Sequence, residues 1–146
     1  MKVAIGADHG GFELKELVVA LLEEEGQEVL DKGCFSSESV DYPEYAEKVC
    51  SSILDGEAER GILICGTGIG MSLAANRHQG IRAALCHEIF TAEMSRRHND
   101  SNILCMGGRV IGPALAFEMV KTWLATPFDG GRHSRRISMF DKGFNK

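Results

Sequence analysis

This chain is poor in the features that mark membrane, secreted and metal-binding proteins. No apolar run approaches the ~20 residues of a membrane span, and the N-terminus enters Val3-Ala-Ile5 without the pattern of a signal peptide. The five cysteines are odd in number and form no C-x-x-C pair, so they indicate reduced, mostly structural thiols. The histidines and acidic residues show no metal-ligand spacing. We therefore expect a cytoplasmic protein without a metal or other cofactor.

Positively charged residues are fewer than negatively charged ones. The 146 residues carry 16 lysines and arginines against 21 aspartates and glutamates, a net charge of −5, and both signs are spread along the chain. This distribution predicts no basic face for nucleic acid and no polybasic membrane anchor. An anionic ligand would therefore need local positive groups. The length fits a single domain, residues 1–146, without internal repeats or low-complexity segments.

Short β-rich runs alternate with longer amphipathic segments, which indicates βαβ units around a parallel sheet. The expected strands are short and mostly apolar, at residues 3–6, 28–31, 61–65, 82–85 and 103–106. Helical spacing predicts helices that end near Gly26 and Gly56, and others at residues 71–76, 89–98 and 113–124. The expected fold is a doubly wound, Rossmann-like three-layer α/β sandwich with a five-stranded parallel sheet and a C-terminal helical arm at about 130–146.

The most informative stretch is Ile-Leu-Ile-Cys-Gly-Thr-Gly-Ile-Gly at residues 62–70, an apolar run that ends in Cys65 and opens into a glycine-rich turn. It predicts a buried strand that delivers a thiol to an anion-binding loop, because the first N–H groups of the next helix point back at the loop. A thiolate there would be stabilised by the helix dipole and the oriented amides. Taken alone, Cys65 fits a structural cysteine better, and the loop matches neither G-x-G-x-x-G nor the Walker pattern.

A doubly wound sheet binds its ligands beyond the carboxyl ends of its strands. Polar and glycine residues follow the predicted strands at that edge: Asp8 and His9 after the first, residues 65–70 after the third, residues 87–88 after the fourth and residues 107–109 after the fifth. We therefore expect a site at this edge of the sheet.

Five motifs follow one another along nearly the whole chain. They are Gly6-Ala-Asp8-His9-Gly10-Gly11, Asp41-Tyr42-Pro43, Cys65-Gly-Thr67-Gly-Ile-Gly70, Arg96-Arg-His98-Asn99-Asp100 and Gly131-Arg132-His133-Ser-Arg-Arg136. Together and in this order they strongly resemble the type B ribose-5-phosphate isomerases, aldose-ketose isomerases of the pentose phosphate pathway. The wider family includes enzymes for allose 6-phosphate and galactose 6-phosphate, so the resemblance implies the reaction class more firmly than the sugar.

The resemblance implies roles for the catalytic candidates. Cys65 would be the base that moves the carbon proton through a cis-enediolate, with Thr67 assisting at the oxygens. Some members carry a glutamate after this loop and lack the cysteine, whereas here that position is Met71, which cannot accept a proton. His98 would open the furanose ring, which suits a side chain that titrates near neutral pH. The developing negative charge would be held by the loop amides of Gly66, Gly68, Ile69 and Gly70.

The remaining candidates would bind the phosphorylated sugar. By the resemblance, Asp8 and His9 would hold sugar hydroxyls, and Asn99 would lie beside the ring-opening histidine. On sequence position alone, Asp8 is equally a cap for the first helix. The resemblance also implies a homodimer, or a tetramer of such dimers, in which the C-terminal arm reaches the active site of the partner subunit. The arginines that would bind the phosphate are Arg109, Arg132 and Arg136.

Two other classes of function share part of this pattern. A nucleotide- or flavin-binding module would use the fold and the glycine loop, but it would leave Cys65, His98 and the terminal arginines idle. A noncatalytic sugar-phosphate sensor would keep the arginines but would not require the cysteine and the histidine. Isomerase activity without nucleotide binding would separate these classes.

Overall fold

The chain folds around a sheet of five strands. A computed structural model describes residues 1–143. In chain order the strands are β1 (Lys2–Ala7), β2 (Glu28–Asp31), β3 (Arg60–Cys65), β4 (Ala83–Leu85) and β5 (Ile103–Gly107). All of them run parallel, in the spatial order β2-β1-β3-β5-β4. The five strands lie within a residue or so of the positions that the sequence predicts.

Helices connect the strands and follow the last one. They are α1 (Phe12–Glu24), α2 (Tyr42–Leu54), α3 (Ile69–Ala75), α4 (Ile89–Arg97), α5 (Pro113–Ala125) and α6 (Arg132–Asp141). Pro43 and Pro113 stand in the first turns of α2 and α5, where a missing N–H costs no helical hydrogen bond. The third helix begins two residues earlier than predicted, directly after the glycine turn. None of the helices within residues 1–143 is long and apolar enough to cross a bilayer.

The two faces of the sheet are covered by different helices, which produces three layers. Ile62 and Ile64 of β3 pack in one apolar core with residues of α1, α4 and α5, including the fully buried Trp123. Leu63 and Cys65 alternate with them and pack in a second core with residues of α2 and α3. Because side chains alternate along a strand, the continuous apolar run of β3 serves both cores. The predicted three-layer, doubly wound α/β fold is confirmed.

The order of the strands places a crevice between β1 and β3. Strand β2 lies on the β1 side of this pair, and β5 and β4 lie on the β3 side. Where the strand order reverses in this way, a binding crevice opens at the carboxyl ends of the two adjacent strands. Ala7 pairs with Ile64, so the residues that follow β1 and β3 lie side by side. The crevice is therefore lined by the Asp8 segment and by the loop that begins at Cys65.

A buried ion pair ties α1 to β2. The fully buried Lys15 Nζ lies 2.6 Å from Asp31 Oδ2 and 2.8 Å from the exposed Glu16 Oε1. Burial opposes the charge of Lys15, but the hydrogen bonds that it donates to the two carboxylates, together with their negative charge, outweigh burial, so the pKa of Lys15 is raised above its ordinary 10.5. The pair fixes the edge of the sheet beside the crevice.

The C-terminal arm is helical as predicted, since α6 covers residues 132–141. Residues 144–146 of the predicted arm lie outside the described part of the chain. The assignment of residues 1–146 to one domain stays a prediction.

Candidate functional site

Cys65 ends β3 inside the crevice and is buried, with 5% of the residue exposed. Its Sγ accepts a hydrogen bond from the backbone N–H of Gly68, at 3.1 Å. Gly68 has a φ of +76°, and a Cβ on it would lie 2.8 Å from the carbonyl carbon of Met106, so both the conformation and the space demand glycine. This turn brings an amide donor onto the sulfur, an arrangement that suits a thiolate.

Asp8 lies next to this thiol on the neighbouring strand end. Its backbone N–H donates to Ile64 O at 3.2 Å, and its Oδ1 accepts from the N–H groups of Gly10 and Gly11 at 2.8 and 3.2 Å. The carboxylate therefore stabilises the turn before α1, although Gly11, and not Asp8, is the N-cap residue. The second oxygen, Oδ2, has no hydrogen bond within residues 1–143, which leaves an acceptor for a ligand.

Arg109 reaches the same loop from β5. Its backbone N–H donates to Gly66 O at 3.0 Å, and the N–H of Gly108 donates to Cys65 O at 2.8 Å. The guanidinium Nη1 lies 3.2 Å from the point where a Cβ of Gly66 would stand. This side chain is exposed and has no ion pair among the described residues. A cation without an internal counter-ion beside an amide-rich loop favours an anionic ligand.

His9 and Thr67 complete this group of side chains. The Nδ1 atom of His9 accepts from the N–H of Val40 at 3.2 Å, so a neutral ring carries its proton on Nε2. Thr67 is exposed, and its Oγ1 accepts from the N–H of Ile69 at 3.2 Å. We call Asp8, His9, Cys65, Thr67 and Arg109 the thiol cluster.

Tyr42 is a further wall of this crevice that the sequence analysis quoted in a motif without giving it a role. A Cβ on Gly70 would lie 2.6 Å from Tyr42 Cζ, so the phenol ring packs directly on the glycine loop. The signal was present in the sequence, because this residue opens α2 beside a proline. Its contact with the loop is a tertiary contact that spacing does not reveal.

His98 and Asn99 lie at the opposite edge of the sheet, where the strands begin, and not at the carboxyl ends of the strands with Cys65. His98 caps the C-terminal end of α4, five residues before β5 begins at Ile103. Ile103 pairs with Gly61, whereas Cys65 pairs with Gly107 at the opposite end of the same strand. Four residue steps at about 3.3 Å separate these ends by about 13 Å. The motifs in the sequence do not reveal this separation, because they give no spatial position for the end of α4.

The C-terminal arm joins His98 at this edge. The rings of His98 and His133 are stacked, with their centroids 4.4 Å apart and their planes inclined by 13°. Burial lowers the pKa of His133, and the nearby His98, Arg132 and Arg136 lower it further. Arg132 and Arg136 are exposed, four residues apart on α6, and have no ion pair within residues 1–143. We call His98, Asn99, Arg132, His133 and Arg136 the histidine cluster.

One further side chain belongs near the histidine cluster, and the sequence analysis missed it. Ligand atoms of His98, Asp129 and His133 all lie within 4.8 Å of one another. The Arg97 guanidinium holds Asp129, with its Nε 3.2 Å from Oδ2, and the N–H of Asp129 donates to Arg97 O at 3.0 Å. About thirty residues separate His98 from Asp129 in the chain, so no local spacing pattern indicates the group.

Comparison with known proteins places this geometry in a family. A model of the family described as Ribose/Galactose Isomerase matches residues 3–140. The chain belongs to this family. It is 52% identical to ribose-5-phosphate isomerase B of Escherichia coli (strain K12) over 136 residues, which are 93% of this chain and 91% of that protein.

Solved structures of the Ribose/Galactose Isomerase family superpose on the whole fold. A ribose 5-phosphate isomerase from Thermotoga maritima is 59% identical, with a TM-score of 0.95 and coverage of 97% of both chains. Ribose-5-phosphate isomerase B of Clostridium thermocellum is 50% identical, with a TM-score of 0.96 and coverage of 97% of this chain and 96% of that one. The resemblance that the motifs indicate is confirmed.

Proposed function

We propose that this protein is an aldose-ketose isomerase that interconverts ribose 5-phosphate and ribulose 5-phosphate in the pentose phosphate pathway. The observation that carries the proposal is the Cys65 thiol, held by the Gly68 amide in the crevice between β1 and β3. The family and the relatives named ribose-5-phosphate isomerase support the choice of substrate. A nucleotide-binding module would have no use for this thiol or for the arginines of α6.

The proton transfer is assigned to Cys65. Its thiolate takes the proton from C2 of the open-chain aldose, and the electrons of that C–H bond form the C1–C2 double bond of a cis-enediolate. The charge that develops on the carbonyl oxygen is held by the loop amides, with the Thr67 hydroxyl beside the two oxygens. The hydroxyl proton on the C2 oxygen moves to the C1 oxygen, the first proton returns from sulfur to C1, and the ketose carbonyl forms at C2. No oxidant or cofactor takes part.

Ring opening is assigned to His98. The furanose of ribose 5-phosphate opens when a proton leaves the anomeric hydroxyl and another reaches the ring oxygen, which is work for a side chain with one nitrogen that donates and one that accepts a proton. The stack with His133 restricts the His98 ring to one orientation. Asn99 follows it directly and offers an amide to the sugar hydroxyls.

The two clusters act together only if they come from two chains. Within one chain His98 and Cys65 lie at opposite ends of the strands, too far apart to contact the same sugar. Direct contact of both side chains with one sugar therefore requires a second copy of the chain. We infer a homodimer with two equivalent shared sites, as a two-fold axis gives. Exposed apolar side chains around the thiol cluster support a covered surface there, with Ile69, Leu73 and Val110 each more than half exposed. A cleft of about 570 Å³ with Asn99 on its wall offers room at the other edge.

Phosphate binding is assigned to the arginines. Arg132 and Arg136 share one face of α6 and have no internal carboxylate partner among the described residues, so both guanidinium groups are available to phosphate oxygens. Arg109 lies across the interface, on the thiol cluster of the other chain. The substrate would thus be held at its carbonyl end by one subunit and at its phosphate by the next.

The family description also names galactose, and a six-carbon sugar phosphate is the second candidate substrate. The same proton transfer would serve either sugar, and the depth of the shared pocket would decide between them. We place the protein in the cytoplasm, since five free, buried cysteines fit a reducing compartment.

The assay follows ribulose 5-phosphate formation from ribose 5-phosphate in a buffer that contains EDTA, with allose 6-phosphate and galactose 6-phosphate in parallel. Fast conversion of the pentose supports the proposal. A preference for a hexose phosphate would keep the mechanism and change the substrate. No turnover of any of the three would contradict the proposed activity and favour a sugar-phosphate sensor.

A further inference from the structure

His98, Asp129 and His133 bring two imidazoles and a carboxylate to one point at the end of α4. Their ligand atoms lie within 4.8 Å of one another. In a tetrahedral zinc site with bonds of about 2.0–2.1 Å, ligand atoms are about 3.4 Å apart. The largest difference is about 1.4 Å, which side-chain rotation and a tilt of the stacked rings can supply, because Asp129 is exposed and His98 is only partly buried.

We propose that this trio is an inhibitory zinc site. Two imidazoles select zinc over magnesium or calcium, which prefer oxygen ligands. Three protein ligands leave one position of a tetrahedral ion for water or for a sugar hydroxyl. The proposal rests on the role of His98 in ring opening, since zinc on its imidazole removes the group that exchanges protons with the furanose.

The surroundings of the trio are built to hold the carboxylate in place. Arg97 donates to both oxygens of Asp129 through its Nε, at 3.2 and 3.3 Å, and accepts from the Asp129 backbone at 3.0 Å. A carboxylate has lone pairs enough for an arginine and a metal at once, so Arg97 would orient the ligand from outside. Arg132 and Arg136 oppose a further cation, and we therefore expect a weaker affinity than that of a structural zinc site.

The inhibition has a direction that follows from the chemistry of the two sugars. Ribose 5-phosphate is mostly a furanose, whereas ribulose 5-phosphate has its C5 hydroxyl esterified and stays open. At saturating substrate, zinc on His98 should therefore lower the turnover of ribose 5-phosphate strongly, because the furanose binds without opening, and lower the turnover of ribulose 5-phosphate much less. The ratio of the two kcat/KM values stays fixed by the equilibrium constant. Zinc on the Cys65 thiol would instead stop both directions equally, because both pass through the same enediolate.

Affinity is measured on the full chain by competition with a chromophoric zinc chelator, without reference to activity. We expect one zinc per chain, and a loss of affinity of about tenfold or more in Asp129→Asn and in His133→Asn. The matched control is Glu93→Gln, another carboxylate that contacts Arg97, at 3.5 Å, but lies outside the trio. Glu93→Gln and Cys65→Ala should bind zinc as the wild type does.

Initial rates at saturating substrate, in both directions and at buffered free zinc, complete the test. Asp129→Asn should keep the zinc-free rate and need about tenfold more zinc for the same inhibition. The proposal is overturned if the dissociation constant for zinc exceeds about 100 μM, which corresponds to a binding free energy of about 5.5 kcal/mol. It is also overturned if Asp129→Asn binds zinc as tightly as the wild type, or if Cys65→Ala abolishes zinc binding. If the protein does not turn over ribose 5-phosphate, the chelator titration still decides whether the site exists, and only the proposed activity fails.

Discussion

At the scale of single residues, the chemistry depends on what distinguishes Cys65 from the other buried cysteines. Burial raises the pKa of Cys50 to about 12 and also raises the pKa of Cys86 and Cys105, so these thiols remain protonated at neutral pH. Cys65 is as well buried as they are, but it has an amide donor on its sulfur. The same residue type therefore serves as packing at these three positions and, in the proposed mechanism, as a base at Cys65.

Cys65→Ala should lower the turnover of ribose 5-phosphate by about 100- to 10,000-fold, the range that a positioned proton-transfer group contributes. The fold and the affinity for the sugar phosphate should remain, because the side chain is small and the phosphate is bound elsewhere. Turnover and calorimetric binding measure the two effects separately.

The matched control is Cys86→Ala, which removes a buried thiol at the same edge of the sheet. It should cost some stability and keep the turnover. If Cys65→Ala retained near-normal turnover, the base would have to be another group.

The sequence predicted much of the thiol cluster and less of its surroundings. Cys65 ends β3, Asp8 follows β1 directly and Arg109 lies two residues after β5, so strand positions were enough to place them at the carboxyl ends of the strands. The roles of Tyr42 and Asp129 were not predicted, because each contacts its neighbours across segments that are far apart in the chain.

At the scale of elements, α6 carries on one face Arg132 and Arg136, the two arginines proposed to bind the phosphate. Arg136→Ala should raise the KM for ribose 5-phosphate by about 10- to 100-fold with little change in kcat, since a charge-assisted hydrogen bond to phosphate is worth about 1.5–3 kcal/mol. Arg135→Ala is the control, because the next residue along a helix points about 100° away. Equal effects of the two substitutions would mean that α6 contributes only general positive charge.

The ion pair between α1 and β2 makes a prediction about stability. Asp31→Ala should lower the free energy of unfolding by about 3 kcal/mol, because it leaves the buried Lys15 charge with only an exposed partner. Glu16→Ala, which removes that exposed partner, should cost under about 1 kcal/mol. Urea unfolding of the two variants measures both values, and a larger effect of Glu16→Ala would contradict the assignment.

The same pair has a defined pH dependence. The pKa of Lys15 is raised in the folded state, so the stabilisation is complete below its ordinary value of 10.5 and is lost as the pH rises through the raised value. The difference in unfolding free energy between the wild type and Asp31→Ala should therefore be constant at neutral pH and shrink above about pH 10.5. A difference that shrinks below pH 9 instead would point to another titrating group.

The elements themselves were predictable where the pattern was local. Alternating apolar runs and amphipathic segments located every strand and helix to within a few residues, and the arginine-rich arm after Gly131 formed the expected helix. The start of α3 differed because the glycine turn is shorter than expected and the helix follows Gly68 at once.

At the scale of the whole molecule, the order of the strands could not be predicted from the sequence. Within residues 1–143, β4 has three residues and pairs only with β5, yet its apolar run looks like that of a central strand. The spatial position of His98 could not be predicted for the same reason. A motif gives the residue, but only the topology shows that the end of α4 lies across the sheet from Cys65.

The measurement that tests the shared site most directly is the mixing of two inactive variants, Cys65→Ala and His98→Asn, by joint refolding. In a two-fold dimer, one of the two sites of each mixed dimer is intact, so a statistical mixture should recover about a quarter of the wild-type rate from ribose 5-phosphate. Cys65→Ala mixed with Asp8→Ala is the control, because both changes lie in the thiol cluster and no intact site forms. Recovery only in the first mixture is the predicted result, and no recovery in either would contradict a site built from two chains.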